Sequence, residues 1–316
     1  MNFTTKIPIQ KFDNPIDYSS KIVSLGSCFA ENMGAKLQYF KFQSTSNPFG
    51  IIFNSISIET LISMTVNKME FTEKDIFFHN EMWHCFEVHS IMSNASSDLL
   101  LNNLNITLHS FRNQLKEATH CIITYGTSWV YKNKDTNKIV ANCHKVPQNQ
   151  FEKEILSVEE IEKSIQKTIQ LIKEINPNCN IIFTISPVRH LKDGFVENQR
   201  SKAHLITAIQ SIINSKLPIL NYFPSFEIQM DELRDYRFYA EDMLHPNQIA
   251  IDYIWERFCE CIIFEESLNI MDEVATIQKG LSHRPFNPNS ESHDKFITNL
   301  NKKIKILNKQ FPQIRF

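Results

Sequence analysis

Short runs of β-branched and aliphatic residues alternate along this chain with longer stretches whose apolar residues recur every three or four positions. Lys21-Ile22-Val23-Ser24-Leu25, His120-Cys121-Ile122-Ile123-Thr124-Tyr125 and Asn180-Ile181-Ile182-Phe183-Thr184-Ile185 read as strands, as do Phe42 to Ser46 and Leu217 to Phe223. Phe29, Met33, Leu37 and Phe40 predict a helix directly after the first strand, and Leu100, Leu104, Leu108, Phe111 and Leu115 predict another over 98–116. Further helices are expected over 56–67, 157–174 (opened by the capping box Ser157-x-x-Glu160), 198–214 and 247–264, with Pro246 in the first turn of the last. Apolar–polar alternation around Asn80-Glu81 (76–92) and around Asp135-Thr136-Asn137 (129–141) predicts two β-hairpins inserted on the main framework. The strand–helix rhythm argues for a parallel sheet covered on both faces. Ligands of such sheets bind beyond the C-terminal strand ends. Ser27, Gly50, Gly126 and Ser186 each follow a strand and should open on that edge. Residues 1–20 form a leading arm. Two helical patterns in 266–316, joined by a Pro-rich stretch over 283–289, form an extension packed on a main domain of residues 1–265.

Composition narrows the setting. The net charge is −2 and no basic run is long enough for nucleic acid or a membrane surface. No apolar run approaches the ~18 residues of a membrane span. The first twenty residues lack the apolar segment of a signal peptide. Seven cysteines without paired spacing suit a reducing compartment, so the expected location is the cytoplasm.

The candidate chemistry gathers at Gly26-Ser27-Cys28-Phe29-Ala30. A serine between strand and helix has its hydroxyl lifted from the sheet edge, beside amides that favour developing negative charge. The same position suits a serine that merely caps the helix. Serine is barely ionised at neutral pH and needs a histidine base oriented by a carboxylate. Asp242-x-x-His245 offers that pair beyond the last strand, although the spacing alone recurs by chance. Cys28 is a rival nucleophile, since a helix N-terminus lowers a thiol's pKa, but it also reads as a small buried residue. Cys143-His144 with His190 lacks metal-ligand spacing, so neither metal nor cofactor is expected.

Taken together, Gly26-Ser27-Cys28-Phe29-Ala30, Asn47-Pro48-Phe49-Gly50, Gly126-Thr127-Ser128-Trp129, Asn142-Cys143-His144-Lys145, Ser186-Pro187-Val188-Arg189-His190 and Asp242-x-x-His245-Pro246 resemble the GSCFA family over about residues 20–265. That family looks like a branch of the SGNH (GDSL-like) hydrolases. The resemblance implies an α/β fold, a three-layer α/β/α sandwich on a five-stranded parallel sheet of flavodoxin-like type. It implies metal-free ester hydrolysis or acyl transfer, with Ser27 as nucleophile, His245 as base and Asp242 as its orienting acid. The oxyanion would be held by the backbone N–H groups of Ser27 and Gly50 and by a side chain after Gly126. Here the chain departs from the SGNH pattern Gly-x-Asn-Asp, because Ser128 stands where the asparagine would. Either Ser128 suffices, or Asn142 or His144 supplies the donor, or activity is weak.

Trp129, His144, Arg189 and His190 are the expected substrate contacts, with Trp129 a candidate stacking surface. The expected partner is a small-molecule or carbohydrate ester. The alternative is a non-catalytic protein that binds a glycan or another small ligand on the same fold.

Overall fold

The computed structural model describes residues 4–214 and 219–316. Five strands form one parallel sheet: β1 (Lys21–Gly26), β2 (Gln43–Ser46), β5 (His120–Tyr125), β9 (Asn180–Ile185) and β10 (Leu220–Phe223). Their spatial order is β10-β9-β5-β1-β2. β2 lies on one side of β1 and every later strand of the sheet on the other, so the order reverses between β1 and β5. That switch point is where doubly wound sheets open a crevice at the strand C-termini. The last predicted strand forms from Leu220, while Leu217 and Pro218 lie outside the described residues.

The strand sequences explain the two covering layers. Val23 and Leu25, Cys121 and Ile123, and Ile181 and Phe183 point to one face. There they meet α2 (Ser55–Val66), α3 (Ser97–Glu117), α4 (Val158–Ile175) and α5 (Phe195–Ile213). Ile22, Ile122 and Ile182 point to the other face, against α1 (Cys28–Tyr39) and α7 (Gln248–Ile262). Such period-two alternation of apolar residues is what a sheet buried on both sides requires, each full burial contributing roughly 1.5–3 kcal/mol. The brief α6 (Ser225–Glu227) runs into a wide turn over Ile228–Glu232. The extension forms α8 (Glu265–Ser282) and α9 (Glu291–Gln310), whose Met271, Val274, Ile277, Leu300 and Leu307 join the α1/α7 layer. No described helix is long and apolar enough to cross a membrane.

The first hairpin, β3 (Ile76–His79) and β4 (Met82–Cys85), turns at Asn80 and Glu81, both at positive φ. It is shorter than the alternation suggests, because 86–92 leaves the ladder as a loop and a short helical turn. The second hairpin, β6 (Trp129–Asn133) and β7 (Ile139–Val140), gains a third strand, β8 (Phe151–Ile155), paired with β6. Glu152, Lys153 and Glu154 hide β8 in the sequence, since charged residues are poor strand formers. Pro246 lies outside α7, because Asn247 is the cap and accepts the Ala250 N–H.

Candidate active site

β1 ends at Gly26, whose φ is +143°; a Cβ there would lie 2.2 Å from the Thr124 carbonyl oxygen. Only glycine lets the chain pass so close to β5 while turning toward a helix. Ser27 follows as the N-cap of α1, its Oγ accepting the Phe29 N–H at 3.2 Å. It is 1% exposed. The next segment crosses the ends of both central strands, as Ile52 N–H donates to the Gly26 carbonyl and Phe53 carbonyl accepts the Gly126 N–H. Asn47, at the end of β2, accepts the Gly26 N–H on its Oδ1 at 2.8 Å. Asn47→Ala leaves that buried donor unpaired, a cost of about 1–3 kcal/mol. The expected result is a lower denaturant midpoint at unchanged slope, and a wild-type midpoint would contradict it.

Asp242 and His245 meet in a tight turn. Asp242 Oδ1 accepts the N–H groups of Leu244 and His245 at 2.9 and 3.0 Å. Its Oδ2 pairs with His245 Nδ1 at 2.6 Å. Met243 takes φ +58° between them, an uncommon conformation for a side chain of its size. These hydrogen bonds, the His245 N–H first, hold the Asp242 carboxyl down at about 2. Nδ1 is thus engaged, which leaves Nε2 for a reacting group. Both side chains are about half exposed. The Arg189 N–H donates to the Leu244 carbonyl at 3.1 Å, which fastens this turn to the loop after β9.

Three buried polar residues on α5 hold the loops after β5 and β9. Lys202 is 1% exposed and its Nζ donates to the carbonyls of Gly126 and Ser186, both at 2.6 Å. Burial pushes its ammonium group down to about 7. Ser201 Oγ accepts the Ser128 N–H at 2.7 Å, and Asn198 Oδ1 accepts the His190 N–H at 2.9 Å. A sequence signal existed for all three. Asn198, Ser201 and Lys202 fall on the same helical stripe as Leu205, Ala208, Ile209 and Ile212, so a lysine occupies a core-facing position.

The backbone donors and the Ser128 hydroxyl expected from the sequence are otherwise engaged. Ser27 N–H donates to the Thr124 carbonyl at 3.1 Å and Gly50 N–H to the Asn47 carbonyl at 2.8 Å. Ser128 is turned away. Its hydroxyl is fully buried and donates to the Ser201 carbonyl at 2.6 Å, so it does not stand in for the asparagine. Asn142 and His144 sit in a side cluster with β4. Asn142 Oδ1 accepts the His144 N–H, and His144 Nε2 pairs with the Cys85 carbonyl at 2.7 Å. Burial pushes the His144 imidazole down to about 4. Neither residue is hydrogen-bonded to Ser27 or His245, and among the described residues Ser27 and His245 share no hydrogen bond either.

Of the expected substrate contacts, Trp129 has Lys153 Nζ 5.1 Å from its ring centroid, so one stacking face is taken. The Arg189 guanidinium lies 4.0 Å from the Tyr239 ring centroid and 5.2 Å from that of Tyr236. His190 packs its ring on Phe53 beside Gly126, the residue that follows β5. Burial pushes the Cys28 thiol up, opposite to what an activated nucleophile needs.

The sequence profile described as the GSCFA family matches residues 21–258. The chain belongs to the GSCFA family. A second profile, the GSCFA domain protein C-terminal domain, matches residues 274–316. This GSCFA chain therefore carries Ser27, Asp242 and His245 within the first match, and α9 within the second. No curated protein matches it. Among solved structures it is similar to a carbohydrate esterase family 3 protein from Talaromyces cellulolyticus, at 6% identity and a TM-score of 0.38, over 80% of this chain and 99% of that one. It is also similar to a mutant acetyl esterase with acetate ion, at 9% identity and a TM-score of 0.31, over 81% of this chain and 99% of that one.

Proposed function

We propose that this GSCFA protein is an SGNH-type serine esterase or acyltransferase acting on acyl esters, O-acetyl carbohydrate esters among them. The observation that carries the reading is the Asp242–His245 hydrogen bond, in a turn fastened to the loop after β9, on the same edge of the sheet where Ser27 follows β1. Ser27 Oγ attacks the acyl carbon as its proton passes to His245 Nε2, and the carbonyl π pair moves onto oxygen. Collapse of that oxyanion expels the alcohol, which takes the proton from His245. Water, or an acceptor alcohol, then repeats the two steps on the acyl-serine and frees Ser27. Asp242 holds the imidazole's orientation and stabilises the imidazolium without taking the proton.

His245→Ala should lower kcat/KM on p-nitrophenyl acetate by about 10²- to 10⁴-fold, the usual contribution of a general base. Asp242→Asn should cost less, because water reaches the half-exposed pair and solvates the imidazolium. The Asp242 carboxyl titrates at about 2, so loss of activity between pH 7 and 4 does not report its protonation. Wild-type turnover by His245→Ala would sink the reading.

A second reading, a non-catalytic glycan or small-ligand binding protein, draws on the near-complete burial of Ser27 and the engaged oxyanion donors. It expects a ligand-induced rise in melting temperature with no turnover of any activated ester.

A further inference from the structure

We propose that His190 supplies the side-chain oxyanion donor that Ser128 does not, an assignment that rests on the esterase reading above. Its Nε2 is buried and has no hydrogen-bond partner among the described residues. A buried polar atom left unpaired costs stability, so an unpartnered ring nitrogen beside the C-terminal strand ends points to a group that arrives from outside. That atom lies 3.2 Å from where a Cβ on Gly126 would be. It therefore fills the space beside the residue that opens the Gly-x-Asn pattern, on the edge where the missing amide would act.

The surroundings fix the ring there. The His190 N–H is held by Asn198 Oδ1, its ring packs on Phe53 with centroids 5.7 Å apart, and the preceding Arg189 N–H ties the loop to the His245 turn. A preorganised donor of this kind needs no rearrangement when charge develops. Burial first, then the nearby Lys202 and His245, push the His190 imidazole down to about 3. The ring stays neutral at any ordinary working pH and carries one proton, which the assignment places on Nε2. It donates a hydrogen bond to the developing oxyanion and keeps its proton throughout; His245 alone moves protons. Neutral imidazoles serve as electrophiles elsewhere when their surroundings suppress the imidazolium.

The test compares wild type, His190→Ala and His190→Gln, the last of which keeps an N–H donor at similar reach. Two rates are read for each: kcat on p-nitrophenyl acetate, and covalent labelling by a fluorophosphonate, whose adduct also places an oxygen in the oxyanion position. His190→Ala should lose about 10²- to 10³-fold in kcat with KM little changed, and should label more slowly in parallel. His190→Gln should recover much of both. Wild-type rates in His190→Ala, equal losses in the two variants, or a raised KM at constant kcat would overturn the assignment. A wild type that takes no adduct on Ser27 instead removes the esterase reading beneath it.

Discussion

Ser27→Ala is expected to reduce turnover of activated acyl esters by about ten-thousandfold or more, leaving only what binding and the remaining donors provide. The size follows from the division of labour. In the proposed mechanism His245 and Asp242 act only on a proton that Ser27 supplies, so without the hydroxyl the pair would have nothing to activate. The loss should appear in kcat with KM nearly unchanged. The fold should tolerate the change, because the hydroxyl accepts only a 3.2 Å hydrogen bond from Phe29 N–H at the helix cap. A lost cap costs about 0.5–2 kcal/mol, too little to unfold a chain with a core on both faces of its sheet. An unfolded variant would therefore contradict the structural account, and an active one the chemical account.

Lys202→Met should have the largest effect on stability. Methionine fills similar space but donates no hydrogen bond, so the buried carbonyls of Gly126 and Ser186 both lose their Nζ donor. At about 1–3 kcal/mol for each orphaned group, less the relief of burying no charge, the expected loss near pH 7 is about 2–4 kcal/mol. The sign of the pH dependence is a second check. Lys202 sits at about 7 in the fold against 10.5 as its ordinary value. Between those values the unfolded chain binds a proton that the folded protein has released, so this group's contribution to stability rises with pH. Below about 7 both states are protonated and the full burial penalty applies. Wild type should gain stability from pH 7 to 9.5 relative to Lys202→Met, measured by urea unfolding at both values. Equal stability, or a gap that narrows with pH, would contradict the assignment. Loosened carbonyls should also displace Gly126 and His190, so kcat should fall as well.

The framework was legible because its signals are local. Val23, Ile123 and Phe183 alternate with residues of opposite facing, and Leu100 to Leu115 repeats at helical spacing, so strands and helices announce themselves. The Asp242-x-x-His245 pairing was legible for the same reason: a carboxylate three residues before an imidazole closes its own turn. Hydrogen bonds between distant segments were not. Ser128 read as a donor aimed at the crevice, yet a carbonyl 73 residues away on α5 takes its hydroxyl. Asn142 and His144 read as cleft residues, yet Cys85 and Phe86 hold them in a side cluster, a contact fixed by how the hairpins pack. Lys202 stood out as a lysine on a core-facing stripe, but its partners are the ends of two strands that only the sheet order brings together. β8 was hidden by its charged residues, and its pairing with β6 depends on a partner across a long loop.

The most direct test of an activated Ser27 is intact-mass analysis after fluorophosphonate treatment of wild type, Ser27→Ala and Cys28→Ala. One adduct is expected on the wild type, kept in Cys28→Ala and lost in Ser27→Ala. An adduct that persists in Ser27→Ala, or none on the wild type, would contradict a serine activated at this position.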